Sequence, residues 1–314
     1  MASNFEFYSP TRVIFGKGTE QRVGALVREY GGTRVLIVYG GKSAVRSGVL
    51  DRAEKSLAEA GISSWTLGGV VPNPHLDKVY EGIRIGKENS IDFLLAVGGG
   101  SVIDGTKLIA AGLLYDGDAW DIVLKGQAGK TVPLATVLTM SATGSEMNSG
   151  AVISRYETKE KYAFYGDYPV FSILDPETLY SLPKRQVACG LADTFVHVLE
   201  QYMTTPHQSR LMDRWAEGIL HTVVEIAPKA LADERDYDTM SEYMLSATLA
   251  LNDMIRMGVT QDWATHMIGH ELTALHGLTH GATLAIVING TLRVLRGQKR
   301  GKLLQYGERI WGIA

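Results

Sequence analysis

The stretch Phe93-Leu94-Leu95-Ala96-Val97-Gly98-Gly99-Gly100-Ser101-Val102-Ile103-Asp104-Gly105-Thr106-Lys107 decides the fold. Its five leading apolar residues do not alternate with polar ones, as in a strand buried on both faces. Three glycines follow, then a segment with helical spacing. Such a run lets a phosphate reach backbone N–H groups at the start of a helix. The same order occurs earlier, where Val35-Leu36-Ile37-Val38 leads through Tyr39 into Gly40-Gly41-Lys42-Ser43. A third buried run, 132–138, leads into the polar residues Thr139, Ser141, Thr143, Ser145, Glu146 and Asn148. Neither glycine run matches G-x-G-x-x-G, and each turn taken alone is an ordinary turn. Three of them at the carboxyl ends of buried strands point to one ligand crevice. With helical patterns over 50–60 and 78–88 between the strands, the segment reads as α/β with a mainly parallel sheet.

Beyond residue 180 the β-branched runs disappear. Helical periodicities cover 191–203, 209–226 and 240–257 and continue into a histidine-rich segment, so this half reads as all-α. Pro183 suits the opening of a helix. The expected domains are therefore 1–182, α/β, and 183–314, helical. Residues 302–314 read as an amphipathic helix that stops without a cap, so the helical domain is expected to be truncated at its C-terminus.

Half of the chain's eight histidines lie within fifteen residues, at His266, His270, His276 and His280. On one unbroken helix His266 and His280 would stand about 21 Å apart and could not share an ion. Gly277 suits a helix C-cap and Thr279 an N-cap, so a corner is expected that folds His280 back toward His266. Asp193 and His197 are four apart and share a helix face. Together they offer three imidazoles and one carboxylate, a set suited to Zn²⁺ or Fe²⁺ with room for a substrate oxygen. His270, one turn from His266, faces the same way. Two roles stay open for it: a proton relay, since imidazole titrates near neutrality, or a packed histidine behind the ligands. His276 is read as structural, and His75, His207 and His221 as surface or packing residues.

The 314 residues suffice for two domains, and the net charge of −3 gives no electrostatic case for nucleic acid. The one basic cluster, Arg293, Arg296, Lys299, Arg300 and Lys302, reads as a solvated helix end. A single cysteine, Cys189, excludes an intrachain disulfide and fits a reducing compartment. No signal peptide or membrane span is read from the sequence, so a cytoplasmic location is expected.

Gly98-Gly99-Gly100-Ser101-x-x-Asp104, the run from Thr139 to Glu146, Gly190-x-x-Asp193-x-x-x-His197-x-x-Glu200 and the spacing of His266, His270 and His280 resemble the iron-containing alcohol dehydrogenases. Within that family they are most similar to the NADPH-dependent, butanol-dehydrogenase-like aldehyde reductases. The resemblance spans the whole chain. It implies a Rossmann-like dinucleotide-binding domain followed by a helical metal-binding domain. It implies that Asp193, His197, His266 and His280 bind the metal, and that Gly98, Gly99, Gly100 and Ser101 hold the pyrophosphate. Asn73, Asp104, Thr139, Ser141, Thr143, Ser145, Asn148, Lys161 and Leu179 join the cofactor set. Members of that family usually continue with further C-terminal helices, so the helical domain here is expected to be incomplete.

The turn after the first of these strands bears on the cofactor. NAD-using members of the family commonly carry an aspartate where this chain has Gly40, and that carboxylate would repel a 2′-phosphate. Gly40 and Gly41 remove the charge, while Lys42 and Ser43 add a cation and a donor, so NADP(H) is expected. The expected activity is hydride transfer between NADP(H) and primary alcohols or aldehydes, with one divalent metal, in a homodimer. Two alternatives stay open. One is a glycerol-dehydrogenase-like or dehydroquinate-synthase-like enzyme of the same fold. The other is a non-catalytic metal- or nucleotide-binding fragment.

Overall fold

The buried apolar runs become the inner strands of a six-stranded parallel sheet. The computed structural model describes residues 2–233 and 235–313. The chain divides into an α/β unit, Pro10–Ser141 with Ser145–Ser181, and a helical unit, Leu182–Ala314 with Met1–Ser9 and Ala142–Gly144.

In the α/β unit the sheet strands are β1 (Arg12–Phe15), β2 (Arg34–Tyr39), β3 (Ser63–Leu67), β4 (Phe93–Gly99), β5 (Leu134–Met140) and β8 (Phe171–Leu174). Their order is β1-β8-β5-β4-β2-β3, and every neighbouring pair is parallel. From β2 the chain moves outward to β3, and from β4 it moves the opposite way to β5. The gap between β2 and β4 is thus the switch point of the sheet, where open α/β folds bind ligands at the strands' carboxyl ends. Helices α1 (Val23–Glu29), α2 (Lys42–Arg46), α3 (Val49–Glu59), α4 (Leu76–Glu88), α5 (Gly100–Gly112) and α6 (Ala119–Lys125) connect the strands. Val35, Ile37, Phe93, Leu95, Val137 and Ile173 share one buried cluster on the sheet. Burial on both faces is why β2, β4 and β5 read as unbroken apolar runs.

The third run, read as 132–138, forms a strand only from Leu134, because Pro133 has no N–H to give the ladder. An antiparallel hairpin, β6 (Gly150–Arg155) with β7 (Glu160–Tyr165), lies outside the sheet and was not among the strands read from the sequence.

The helical unit contains α7 (Lys184–Tyr202), α8 (Arg210–Ala232), α9 (Tyr237–Ala250), α10 (Ala264–His276), α11 (His280–Val294) and α12 (Arg300–Trp311). Pro183 precedes α7 at φ −60°. The helix read to 226 continues to Ala232 with Pro228 inside it. The helix read to 257 ends at Ala250. There Asn252 accepts a hydrogen bond from the Met254 N–H, and Asp253 and Gly258 take positive φ, which a helix does not tolerate. Ser3 donates to the Gly258 carbonyl at 2.8 Å, and this places the first residues in the helical unit. The last helix is capped, contrary to the sequence reading: Gly312 takes φ 63° and Ile313 donates to the Gly307 carbonyl. Ala314, the end of the expected helix, lies outside the described residues. No described helix is long and apolar enough to cross a membrane.

The basic cluster is only partly solvated. Arg293, Arg296 and Arg300 are exposed. Lys299 is buried and donates to the Met203 carbonyl (2.7 Å) and to Asp262 (2.5 Å). Lys302, 1% exposed, donates to Asp213 at 2.6 Å and lies 4.1 Å from the centre of the Tyr202 ring. This pair fastens α12 to α8 and to the end of α7. Lys302→Met should therefore leave the Asp213 carboxylate without its cation, with only Gln305 still donating to it, and cost up to about 3–5 kcal/mol, the usual scale for one partner of a buried pair. Urea denaturation of Lys302→Met and of Lys302→Met/Asp213→Leu checks this. The double variant should recover much of the loss, and a single variant as stable as the parent contradicts the assignment.

Candidate functional site

In the helical unit α7 carries Asp193, His197 and Glu200 at intervals of four and three, which is one face of a helix. His266 lies in the first turn of α10, His270 follows one turn on, and His280 opens α11. Between them His276 closes α10 and Gly277 takes φ 66°, the left-handed cap that turns the chain. Thr279 is the extended residue before α11, and its carbonyl, not its hydroxyl, meets the first N–H groups.

Close approach of the helices depends on glycine. A methyl group added at Gly281 would lie 2.1 Å from the Cys189 carbonyl oxygen on α7. One added at Gly269 would lie 2.9 Å from the Thr283 hydroxyl on α11. Backbone contact at these points brings the imidazoles to the carboxylate.

Asp193 Oδ1 is the centre of the group. It stands 3.3 Å from His197 Nδ1 and 3.7 Å from both His266 Nε2 and His280 Nε2. Asp193, His266 and His280 each offer a donor atom, all within 4.8 Å of one another. His197 flanks this trio, its ring 4.4 Å from that of His266. The ring of His270 is 6.5 Å from that of His266 and 5.4 Å from that of His280. Trp263 meets the His266 ring edge-on at 5.2 Å.

Asp193 Oδ1, His197 Nδ1 and His266 Nε2 are buried and make no hydrogen bond. Buried polar atoms normally find partners, and leaving them without costs free energy. Three such atoms converging as nitrogen and oxygen donors fit a divalent metal ion. Electrostatics agree. Burial drives the Asp193 carboxyl upward, but His197, His280 and His266 outweigh it and hold the group well below the usual carboxylate range. Burial pushes His197 down to about 4, so its ring is neutral near pH 7 and has a lone pair to donate. Burial also lowers His266, but the nearby Asp193 carboxylate and the hydrogen bond and charge of Glu200 more than reverse this.

In the α/β unit the two glycine turns stand side by side. Tyr39 pairs with Val97, so Gly40 and Gly98 leave the ends of adjacent strands on either side of the switch point. Gly98 and Gly99 are required sterically: added methyl groups would lie 2.4 Å from Val102 and 2.9 Å from Met140. Gly41 faces open space. Gly99 is the residue before α5, and Lys42 and Ser43 begin α2. Thr139 and Ser141 lie at and just past the end of β5, beside Gly98 and Gly99.

Asn73 takes φ 57°, donates its N–H to the Ser101 hydroxyl (3.1 Å) and accepts from Lys161 (3.0 Å), so these three form one chain. Asp104, Ser145 and Asn148 are engaged in the interior. Lys107, 1% exposed, donates to the Ser145 carbonyl and hydroxyl, to Asn148 Oδ1 and to the Gly150 carbonyl, while Ser145 and the Val152 N–H donate to Asp104. Burial lowers the Lys107 pKa to about 8 against the pull of Asp104 and Glu146. Leu179 is fully buried, next to Thr178, whose hydroxyl donates to the Leu138 carbonyl. Thr143 belongs to the helical unit.

Sequence reasoning assigned no role to Glu200, Trp263 or Lys107. Glu200 carried a signal, because it falls on the same face of α7 as Asp193 and His197 and is buried. Lys107 carried none, since its partners lie 38 to 43 residues away. Of the histidines set aside, His221 contacts the Arg309 carbonyl and His75 stacks on Tyr156.

A switch-point sheet with glycine turns and a buried cluster of metal-type donors define the class: a metal- and nucleotide-using enzyme. Comparison with known proteins gives the family. Residues 10–176 match the family model "Iron-containing alcohol dehydrogenase", and residues 187–313 match "Fe-containing alcohol dehydrogenase family, C-terminal". The chain is 48% identical to the NADPH-dependent aldehyde reductase YqhD of Escherichia coli K12, over 99% of this chain and 81% of that protein. It is 44% identical to the probable NADH-dependent butanol dehydrogenase 1 of Bacillus subtilis, over 99% of this chain and 81% of that one. The solved structure of NADH-dependent butanol dehydrogenase A from Thermotoga maritima superimposes with a TM-score of 0.97 at 38% identity, covering 100% of this chain and 79% of that one. The chain belongs to the iron-containing alcohol dehydrogenase family, and it is a metal-dependent alcohol/aldehyde oxidoreductase of the aldehyde reductase and butanol dehydrogenase branch.

If the cluster holds the ion, Asp193→Ala, His197→Ala, His266→Ala and His280→Ala should each purify with less metal than the parent. His270→Ala should keep its metal. Elemental analysis of the five proteins decides this, and a metal-free His270→Ala beside a metal-replete His280→Ala would reverse the assignment.

Proposed function

We propose that this protein interconverts aldehydes and primary alcohols with NADP(H), using one Fe²⁺ or Zn²⁺ ion held by Asp193, His197, His266 and His280. The observation that carries this is the convergence of buried donor atoms without hydrogen bonds on Asp193 Oδ1. When bound, the ion supplies Lewis acidity to the carbonyl oxygen and the nicotinamide supplies the hydride. The remaining work falls to the chain. Gly98, Gly99 and Gly100 leave the N–H groups at the start of α5 open to the pyrophosphate, where the helix dipole favours an anion. Asn73 and Ser101 orient the Lys161 ammonium beside that turn. Asp104, Ser145 and Asn148 act from behind, through Lys107, by fixing the segment after β5. A ring nitrogen of His270 delivers the proton that the reduced oxygen needs. His270→Ala should accordingly lower kcat by about 10²–10⁴-fold, the usual range for general acid catalysis, while metal content stays the same. Equal kcat in the two proteins leaves His270 with a packing role.

The preference for NADP(H) rests on the turn after β2. No carboxylate stands at Gly40 or Gly41, and Lys42 and Ser43 offer a cation and a hydroxyl. An aspartate at Gly40 would place its Cβ 3.3 Å from the Val70 carbonyl oxygen, tight but accessible with a small shift. Gly40→Asp should cost NADPH about 1–3 kcal/mol, or about tenfold or more in kcat/KM, and affect NADH much less. Butanal reduction, followed by cofactor absorbance with each cofactor, tests both points. Equal use of NADPH and NADH by the parent, or an unchanged ratio in Gly40→Asp, removes the basis for the preference. A cytoplasmic location, supported by the lone buried thiol of Cys189, and a homodimer, to be checked by light scattering, complete the proposal.

A further inference from the structure

The first turn of α10 has backbone N–H groups that no residue of its own helix can satisfy. The residue before the helix, Trp263, makes no side-chain cap. The acceptor comes from α7. Glu200, buried at 5% exposure, takes the Thr265 N–H on Oε1 at 2.5 Å and the His266 N–H on Oε2 at 3.2 Å. The same Oε2 is hydrogen-bonded to His266 Nδ1. A carboxylate at a helix N-terminus is also favoured by the helix dipole.

This one contact fixes the chemistry of His266. An ionised carboxylate only accepts, so Nδ1 carries a proton and Nε2 is the nitrogen left to donate to an ion. Nε2 is the atom that lies 3.7 Å from Asp193 Oδ1, buried and without a hydrogen bond. The Thr265 and His266 N–H groups hold the carboxylate in place, and the carboxylate holds the ring. A negative group behind a histidine also makes its other nitrogen a stronger donor.

We infer that Glu200 is a positioning residue of the metal centre, selecting the Nδ1–H tautomer and the orientation of His266 while capping α10. The inference rests on the metal reading above. Asp193, His197 and Glu200 then act as one row on α7, two pointing at the ion and the third setting a ligand that α10 supplies.

The test uses metal-stripped full-length protein titrated with Co²⁺, whose visible absorption reports ligand geometry. Glu200→Gln should bind Co²⁺ about 10–100-fold more weakly, with an altered spectrum. Glu200→Asp, which keeps the charge, should recover part of the affinity. A role confined to capping α10 would lower the melting temperature and leave the affinity and spectrum of the folded protein as in the parent. If the parent binds Co²⁺ and Glu200→Gln matches it in both, the inference is overturned and the metal reading stands. If the parent takes up no Co²⁺, both fall. Should Glu200→Gln not fold, ¹⁵N NMR of the parent loaded with Zn²⁺ decides. A His266 with Nδ1–H and its Nε2 on the ion supports the inference, and one with the ion on Nδ1 refutes it.

Discussion

Everything in the helical unit answers to one electrostatic constraint: a carboxylate oxygen buried within 4 Å of three imidazole nitrogens, with no hydrogen bond to satisfy it. Taking such groups out of water is costly unless something compensates each of them. The compensation visible in the chain is partial. The imidazoles hold Asp193 ionised, and Glu200 takes one face of His266. The atoms left over all point at one another, which is the arrangement a cation requires. Helix packing follows from this need. Gly281 and Gly269 stand where side chains would keep the imidazoles from the carboxylate, and Gly277 turns the chain so that α11 begins with a ligand.

The α/β unit satisfies a different constraint with the same residue. Gly98 and Gly99 are small because Val102 and Met140 already fill the space beside them. A tight strand-to-helix turn and an open N–H surface are two results of one absence of side chain. Beneath the turn, Lys107 collects acceptors from the segment that follows β5, so the loop bearing Ser145 and Asn148 is pinned from inside. The turn is therefore backed by a buried polar network in which Lys107 and Asp104 are joined through the Ser145 hydroxyl, not by apolar packing alone.

Local signals carried most of the architecture. Unbroken apolar runs gave β2, β4 and β5, because burial on both faces leaves no polar position. Gly277 and Thr279 gave the corner between α10 and α11, because a left-handed cap followed by an extended residue is a local requirement. Distant partners carried the rest. Lys107 and Lys302 look like solvated lysines until residues far along the chain supply Ser145 and Asp213. Glu200 is one more acid on a helix until the N-terminus of α10 reaches it. The end of α9 depended on Asn252 bonding its own backbone, a choice that helical periodicity does not reveal.

The row on α7 has a mechanical consequence. The chain has one cysteine and so no covalent cross-link, yet a single ion at the cluster would tie α7, α10 and α11 together across much of the helical unit's sequence. Such a tie would act as a removable staple: unlike a disulfide it leaves the unfolded chain unrestricted, and it would lend its binding free energy to the folded state. Loss of the ion would then cost stability as well as activity, so the stripped protein would melt at a lower temperature than the loaded one.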